Sequence, residues 1–309
     1  MKLVVGGAQF GAPYGIANAT GAPVPETVCR ILCLARDSGV GWIDTARAYP
    51  GSEEAIGTAL EAIGRWPVKL ATKLLPLRLT HEGSGRDASK LADLVRSSLT
   101  ESRRSLKRHR LDAVLLHRWE DYRLEGSLVA DIMHSELEAG GISAFGVSVQ
   151  SPEELLQALS EDCVRHIQLP VNILDHRWDR ALPEVQRIRK QRPLTIHGRS
   201  SLLQGLFLSD KPDHWHRAHV ANGGNVRSWL LSEVRAGRRR NVQDLCLAWG
   251  RAQDWVDGLV VGAETVDQMR ENLQNCRTAP LTSGDLVRIR AGRPHLGTET
   301  LDPARWLRA

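Results

Sequence analysis

Short, nearly continuous apolar segments rich in β-branched residues recur along this chain, each followed by a longer amphipathic stretch. Eight fall at residues 3–9, 41–46, 68–73, 113–117, 144–149, 166–171, 194–199 and 258–262. Continuous rather than alternating apolarity marks strands buried on both faces, as in a parallel sheet covered by helices. The stretches between them read as helices. At 25–38, Val28, Ile31, Leu32 and Ala35 share one face and Gly39 follows. Further helices are expected at 52–63, 89–107, 127–139, from Ser151-Pro152-Glu153-Glu154 onward, at 179–191 and at 265–275. Ser151 reads as a cap, with Pro at the first helical position and Glu three after the cap. Strand–helix alternation repeated eight times predicts parallel strands joined by crossover helices. A (β/α)8 TIM barrel fits the count, as a single domain over residues 1–309. The competing open, doubly wound sheet usually carries G-x-G-x-x-G after its first strand, and Gly11-Ala12-Pro13-Tyr14-Gly15 lacks that spacing. Residues 206–227 show weak periodicity and read as a loop excursion, either a lid or a plain surface loop.

Hydrophobic residues at 42% and charged residues at 25% fit a globular protein and exclude a disordered or collagen-like one. No run of about 18 apolar residues predicts a membrane span. The opening residues hold too few apolar positions for a signal-peptide core. Five cysteines with no C-x-x-C suit free thiols in a reducing cytoplasm. The net charge of +5 is spread thinly, and the basic runs at 103–110 and 238–240 have few interleaved aromatics. Nucleic-acid binding is therefore not expected.

In a barrel, polar residues at the C-terminal ends of strands are the candidates for chemistry. Those ends supply Asp44, with Tyr49 just beyond it, then Lys73 and His117 from the next two strands. A lysine in an apolar strand needs a counter-charge, and Asp44 on the neighbouring strand can supply it. An ammonium beside a phenol lowers the phenol pKa from about 10, making it a usable proton donor and acceptor. His117 can hydrogen-bond the same substrate oxygen and polarise a carbonyl. Taken singly, each residue has an ordinary explanation: Asp44 as a helix cap, Lys73 as a snorkelling side chain, His117 and Tyr49 as packing residues. Their recurrence at successive strand ends is what points to protonation of an oxygen while hydride reaches carbon.

These segments resemble the aldo-keto reductase family. Val40-Gly41-Trp42-Ile43-Asp44-Thr45-Ala46, then Tyr49 and Gly51-Ser52-Glu53, resembles its signature; Thr72-Lys73 and Leu115-Leu116-His117 resemble its lysine and histidine strands. The match runs to about Leu273. It implies an enzyme that reduces an aldehyde or ketone with NAD(P)H, or runs the reverse, with Asp44, Tyr49, Lys73 and His117 catalytic. It also implies a cofactor set. Gly7 and Ala8 lie in the opening motif; Ser148 and Gln168 would hold the nicotinamide carboxamide. Arg199, Ser200, Leu202, Gln204 and Gly205 would lie along nicotinamide and pyrophosphate. Gly262, Ala263, Glu264, Thr265, Gln268, Glu271 and Asn272 would hold the adenosine end. The chain departs from the family pattern at three places. Val149 stands where an Asn contacts the carboxamide, and Arg199 where an aromatic usually stacks on nicotinamide; a planar guanidinium can stack there instead. Glu264 stands where many members grip the 2′-phosphate of NADP(H) with Arg or Lys, so NAD(H) competes with the family's usual NADP(H).

Two other classes stay open on the sequence. One is a non-catalytic, nucleotide-binding regulatory subunit of the same fold. The other is a metal-dependent hydrolase, although the strand ends offer one His and one Asp, and no metal is expected. Arg118, Trp119, Asn172 and Trp178 are candidate substrate walls. With Asp175, His176 and Arg177 they suggest a polar mouth and a hydroxylated, sugar-derived carbonyl. The expected partners are a nicotinamide cofactor and a small carbonyl compound, with no nucleic acid and no membrane; the oligomeric state is not legible.

Overall fold

The computed structural model describes residues 2–77, 88–124 and 127–307. Eight strands close into a barrel in chain order, all pairings parallel. They are β1 (Leu3–Gly6), β2 (Trp42–Asp44), β3 (Lys69–Lys73), β4 (Ala113–Leu116), β5 (Phe145–Ser148), β6 (Val164–Pro170), β7 (Thr195–Arg199) and β8 (Gly258–Gly262). All eight expected strands are present. The first ends at Gly6 rather than at residue 9, because the chain turns into the mouth there, with Phe10 N–H donating to the Gly7 carbonyl at 2.9 Å.

The crossover helices are α1 (Pro25–Asp37), α2 (Ser52–Ile63), α3 (Ala88–Leu106), α4 (Leu128–Glu138), α5 (Pro152–Ser160) and α6 (Leu182–Gln191). The face that α1 buries is the one its spacing marks: Val28, Ile31, Leu32 and Ala35. The Ser151 side chain caps α5 by accepting from Glu154 N–H. Three helices, α7 (Pro212–Arg217), α8 (Gly223–Ala236) and α9 (Val242–Arg251), cross from β7 to β8. Residues 206–227 thus carry α7 and the start of α8, with Phe207 and Trp215 packed into a second apolar cluster. After β8 come α10 (Val266–Arg277) and two helices that the sequence did not signal, α11 (Ser283–Gly292) and α12 (Thr298–Leu301). Ile289, Leu296 and Leu301 join the same cluster.

Alternation along the strands fills the barrel with two distinct polar layers. The upper layer holds Asp44, Lys73 and Gln168. The lower layer holds His166 and His197, with Nε2 and Nδ1 3.1 Å apart, and the Trp42 ring edge-on to both. Gly146 makes this layer possible, since a Cβ there would lie 2.0 Å from the His166 carbonyl oxygen. Burial holds both rings neutral: His197 is pushed down to about 4, and His166 well below its ordinary value. An unfolded histidine titrates near 6.5. The unfolded chain therefore binds protons that the fold refuses, and stability present above pH ~6.5 is lost as pH falls toward ~4. The urea midpoint should be lower at pH 5 than at pH 7.5, and the difference should shrink in His197→Asn. Equal differences in both proteins would show that the pair is not linked to folding.

Candidate active site

The upper layer opens into a cleft at the C-terminal ends of the strands. Lys73 Nζ donates to Asp44 Oδ1 at 2.7 Å, to Asp44 Oδ2 at 2.9 Å and to the Thr45 carbonyl at 2.9 Å. All three ammonium protons are engaged, and both side chains of the pair are at least 95% buried. Burial pulls the lysine below its ordinary range, while Asp44 opposes that shift. Gln168 Nε2 donates to the same Asp44 Oδ1 at 2.7 Å. Tyr49 lies above the pair, with Lys73 Nζ 5.3 Å from its ring centroid. The His117 ring meets the Tyr49 ring edge-on at 5.9 Å. The four strand-end residues thus converge.

A buried polar clamp fixes the turn that carries Tyr49. Ser52 Oγ donates to the Gly7 carbonyl and lies 2.7 Å from Thr45 Oγ1. The Glu53 carboxylate accepts from Thr72 Oγ1 at 2.6 Å and pairs with Arg47. A Cβ on Gly11 would lie 1.7 Å from the Pro50 carbonyl oxygen, so only glycine lets the first loop lie against this turn. The Gly51-Ser52-Glu53 motif therefore begins a helix and also ties β1, β2 and β3 together behind the tyrosine.

One electrostatic expectation is corrected. The net shift of the Tyr49 phenol is upward, not downward. Burial raises the phenol well above its ordinary value and Asp44 adds to the rise, while Arg199 and Arg118 oppose it. The ammonium is turned toward Asp44 and Thr45, so the phenol is neutral and loaded with its proton. Burial and the nearby Lys73, Arg118 and Arg199 charges push His117 down to about 3, so it too is neutral.

Ala8, Gln168, Arg199, Ser200, Leu202, Gln204, Gly205, Gly262, Glu264, Gln268 and Asn272 all line the cleft with Asp44 and Tyr49. Gly7, Ser148, Ala263, Thr265 and Glu271 stand behind this lining. Gly7 N–H donates to the Asp44 carbonyl, and Ser148 is buried at the end of β5. Thr265 caps α10, and Glu271 accepts from Asn241. The loop from residue 200 to 205 holds Ser200, Leu203 and Gln204 at positive φ, the kind of strain that collects at binding loops.

Of the expected substrate walls, the structure brings only Arg118 into electrostatic reach of Tyr49 and His117. Trp119 is buried in the helix layer, stacked on Tyr122 and bonded to Gln157. Trp178 is also buried and donates to Asp175, which is paired with Arg177. Asn172 is buried, with its Oδ1 accepting from Leu174 N–H. An aromatic residue after a strand can turn inward or outward, and spacing does not distinguish the two. Conversely, Gln9, Tyr14, Gly15, Ala17 and Asn18 from the first loop, and Gln243 from α9, line the cleft unpredicted. The signal for the first loop was available. It is long, and it follows the C-terminal end of a barrel strand.

Among the described residues, no cluster of three or more His, Cys, Asp or Glu is placed to hold a metal, and no helix is long and apolar enough to cross a membrane.

Residues 2–292 match the aldo/keto reductase family, and the chain belongs to it. Family members generally reduce carbonyl groups with NAD(P)H. The chain is 25% identical over 282 residues to an uncharacterized oxidoreductase, YqkF, of Bacillus subtilis, covering 84% of this chain and 86% of that one. It is 28% identical over 280 residues to deoxymugineic acid synthase 1-D of Triticum aestivum, covering 84% and 81%. Among solved structures, the holo form of aldo-keto reductase AKR11C1 from Bacillus halodurans superposes with a TM-score of 0.72 at 21% identity, over 97% of this chain and 95% of that one.

Proposed function

We propose that the protein reduces an aldehyde or ketone by hydride transfer, with Tyr49 as the general acid. The observation that carries this reading is a neutral, half-buried phenol on the cleft wall, flanked by His117 and underlain by the Lys73–Asp44 pair. The residues present also fit a dinucleotide. Gln168 Oε1 is buried without a hydrogen-bond partner, and a primary carboxamide would satisfy it. Ser201 Oγ, also on the cleft wall, is likewise unpartnered.

When bound, the nicotinamide supplies hydride to the carbonyl carbon. Tyr49 gives its proton to the carbonyl oxygen as negative charge develops there. Neutral His117 donates a hydrogen bond to the same oxygen and helps fix the carbonyl. Lys73 and Asp44 act through Tyr49: their charges nearly cancel, so the phenol keeps its proton until a stronger base forms beside it. The regulatory-subunit alternative lacks a reason for this quartet. Purified protein supplied with reduced cofactor and a panel of aldehydes should consume cofactor in proportion to aldehyde, and absence of turnover with every carbonyl tried would favour that alternative.

The adenosine end supports NAD(H). Glu264 lies on the cleft wall, where its carboxylate accepts from Thr20 Oγ1 at 3.0 Å and, among the described residues, pairs with no cation. Arg270 is exposed and paired with Asp267, off the cleft lining. A 2′-phosphate would meet an unneutralised carboxylate, whereas a 2′-hydroxyl could donate to it. Glu264→Arg should raise kcat/KM for NADPH relative to NADH by at least about tenfold, or ~1.4 kcal/mol. The effect should shrink as salt rises. An unmoved ratio would assign the 2′ position to another group.

A further inference from the structure

One guanidinium, Arg199, lines the cleft, and a second, Arg118, follows His117 within electrostatic reach of His117 and Tyr49 and also of Glu154; among the described residues neither forms an ion pair. Arg199 stands at the end of β7 on the cleft wall. Its head reaches back across β6, with Nη2 3.5 Å from the Val149 carbonyl beyond the end of β5 and Nη1 3.3 Å from Ser200 Oγ. Both contacts are at the long limit for hydrogen bonds, so most of its donors are loosely held. This direction takes the charge away from β8 and the adenosine end, and toward Tyr49. Arg118 follows His117 directly at the end of β4, half-buried, in extended backbone. Among the described residues neither arginine forms an ion pair, while most other partly buried arginines of the chain do, as with Arg177–Asp175 and Arg239–Asp244. The two charges act on the same groups, opposing protonation of His117 and easing ionisation of Tyr49.

A partly buried cation without a counter-charge is costly, and a site that keeps two of them gains most from an anion placed between them. The polar residues expected to recognise hydroxyls do not compete for this role, because Asp175 is bonded to Arg177 and Trp178. Resting on the carbonyl-reductase reading above, we infer that the substrate carries an anionic group, a carboxylate or a phosphate, which Arg199 and Arg118 bind while Tyr49 and His117 hold the carbonyl oxygen. A guanidinium offers paired donors to either group, so the geometry selects anions over neutral aldehydes.

The test compares two matched pairs: 4-carboxybenzaldehyde against 4-methylbenzaldehyde, and glyceraldehyde 3-phosphate against glyceraldehyde. For wild type, kcat/KM should be at least about tenfold higher for the anion in one or both pairs, and the pair that shows it identifies the group. In Arg118→Met and Arg199→Met that anion-to-neutral ratio should fall by about tenfold or more. Raised salt should lower it in wild type. A role in stacking on the cofactor, or in packing, would slow both members of a pair alike and leave the ratio in place. Calorimetric titration of benzoate and inorganic phosphate into cofactor-loaded protein supplies a second readout. Binding of either that is lost in the arginine variants supports the anion site even if no aldehyde turns over, in which case the reductase reading alone fails. Turnover of neutral aldehydes with no anion preference, or a ratio unmoved in both variants, overturns the inference and leaves the reductase reading standing.

Discussion

Tyr49→Phe leaves a folded protein that binds nicotinamide cofactor with its original Kd and reduces aldehydes about 10²–10⁴-fold more slowly, the usual worth of a positioned general acid. The substitution removes one oxygen. The ring keeps its edge contact with His117, and the polar clamp behind the turn involves Ser52, Glu53 and Thr72 rather than the phenol. What disappears is the proton that burial holds on the phenol. The loss should therefore appear in kcat as well as in kcat/KM, since the proton moves in the transition state. Single-turnover reduction, with cofactor pre-bound, isolates that step. Retention of more than about a tenth of the wild-type rate would assign the proton to another group.

Lys73→Met acts on both stability and rate. Lys73 and Asp44 are almost wholly buried and in contact, and removing one partner strands the other charge at a cost of about 3–5 kcal/mol. Urea unfolding should show that loss. The double variant Asp44→Asn/Lys73→Met, which removes both charges, should recover a large part of it, a direct measure of their coupling. Catalysis should behave differently. An unpaired Asp44 beside Tyr49 pushes the phenol still higher, so the pH profile for alcohol oxidation moves up and turnover falls. Restored stability without restored rate would separate the two roles. An unchanged pH profile in the single variant would show that the pair does not act on Tyr49.

The barrel was legible because both sheet faces are buried, which turns each strand into an apolar run with a polar residue at its mouth end. Asp44, Lys73 and His117 announced themselves in that way. The lower layer did not, since His166 and His197 look like polar interruptions until closure of the barrel brings their rings together. Nor did the sign of the Tyr49 shift: a neighbouring lysine can be read from strand order, but the direction in which its protons point cannot. The first loop was passed over for a similar reason. Tyr14 and Thr20 matter through their bonds to Gln204 and Glu264, nearly two hundred or more residues away. Helices α11 and α12 lacked a signal because their apolar residues complete a shared cluster rather than forming a continuous face of their own.

The engagement of all three Lys73 protons has a further chemical meaning. An aldehyde entering this cleft is an electrophile, and an amine with a free lone pair would condense with it to a Schiff base. Lys73 has none to offer while Asp44 and Thr45 hold its ammonium. No cysteine lines the cleft either. Cys29 and Cys33 lie on α1, and Cys163 precedes β6 at the far end of the barrel. Cys276 is buried, its thiol pushed up to about 11, and the Cys246 thiol lies higher still. The cleft thus offers an aldehyde hydrogen-bond donors but neither a free amine nor a thiol, the side chains that would trap it most readily in a covalent adduct.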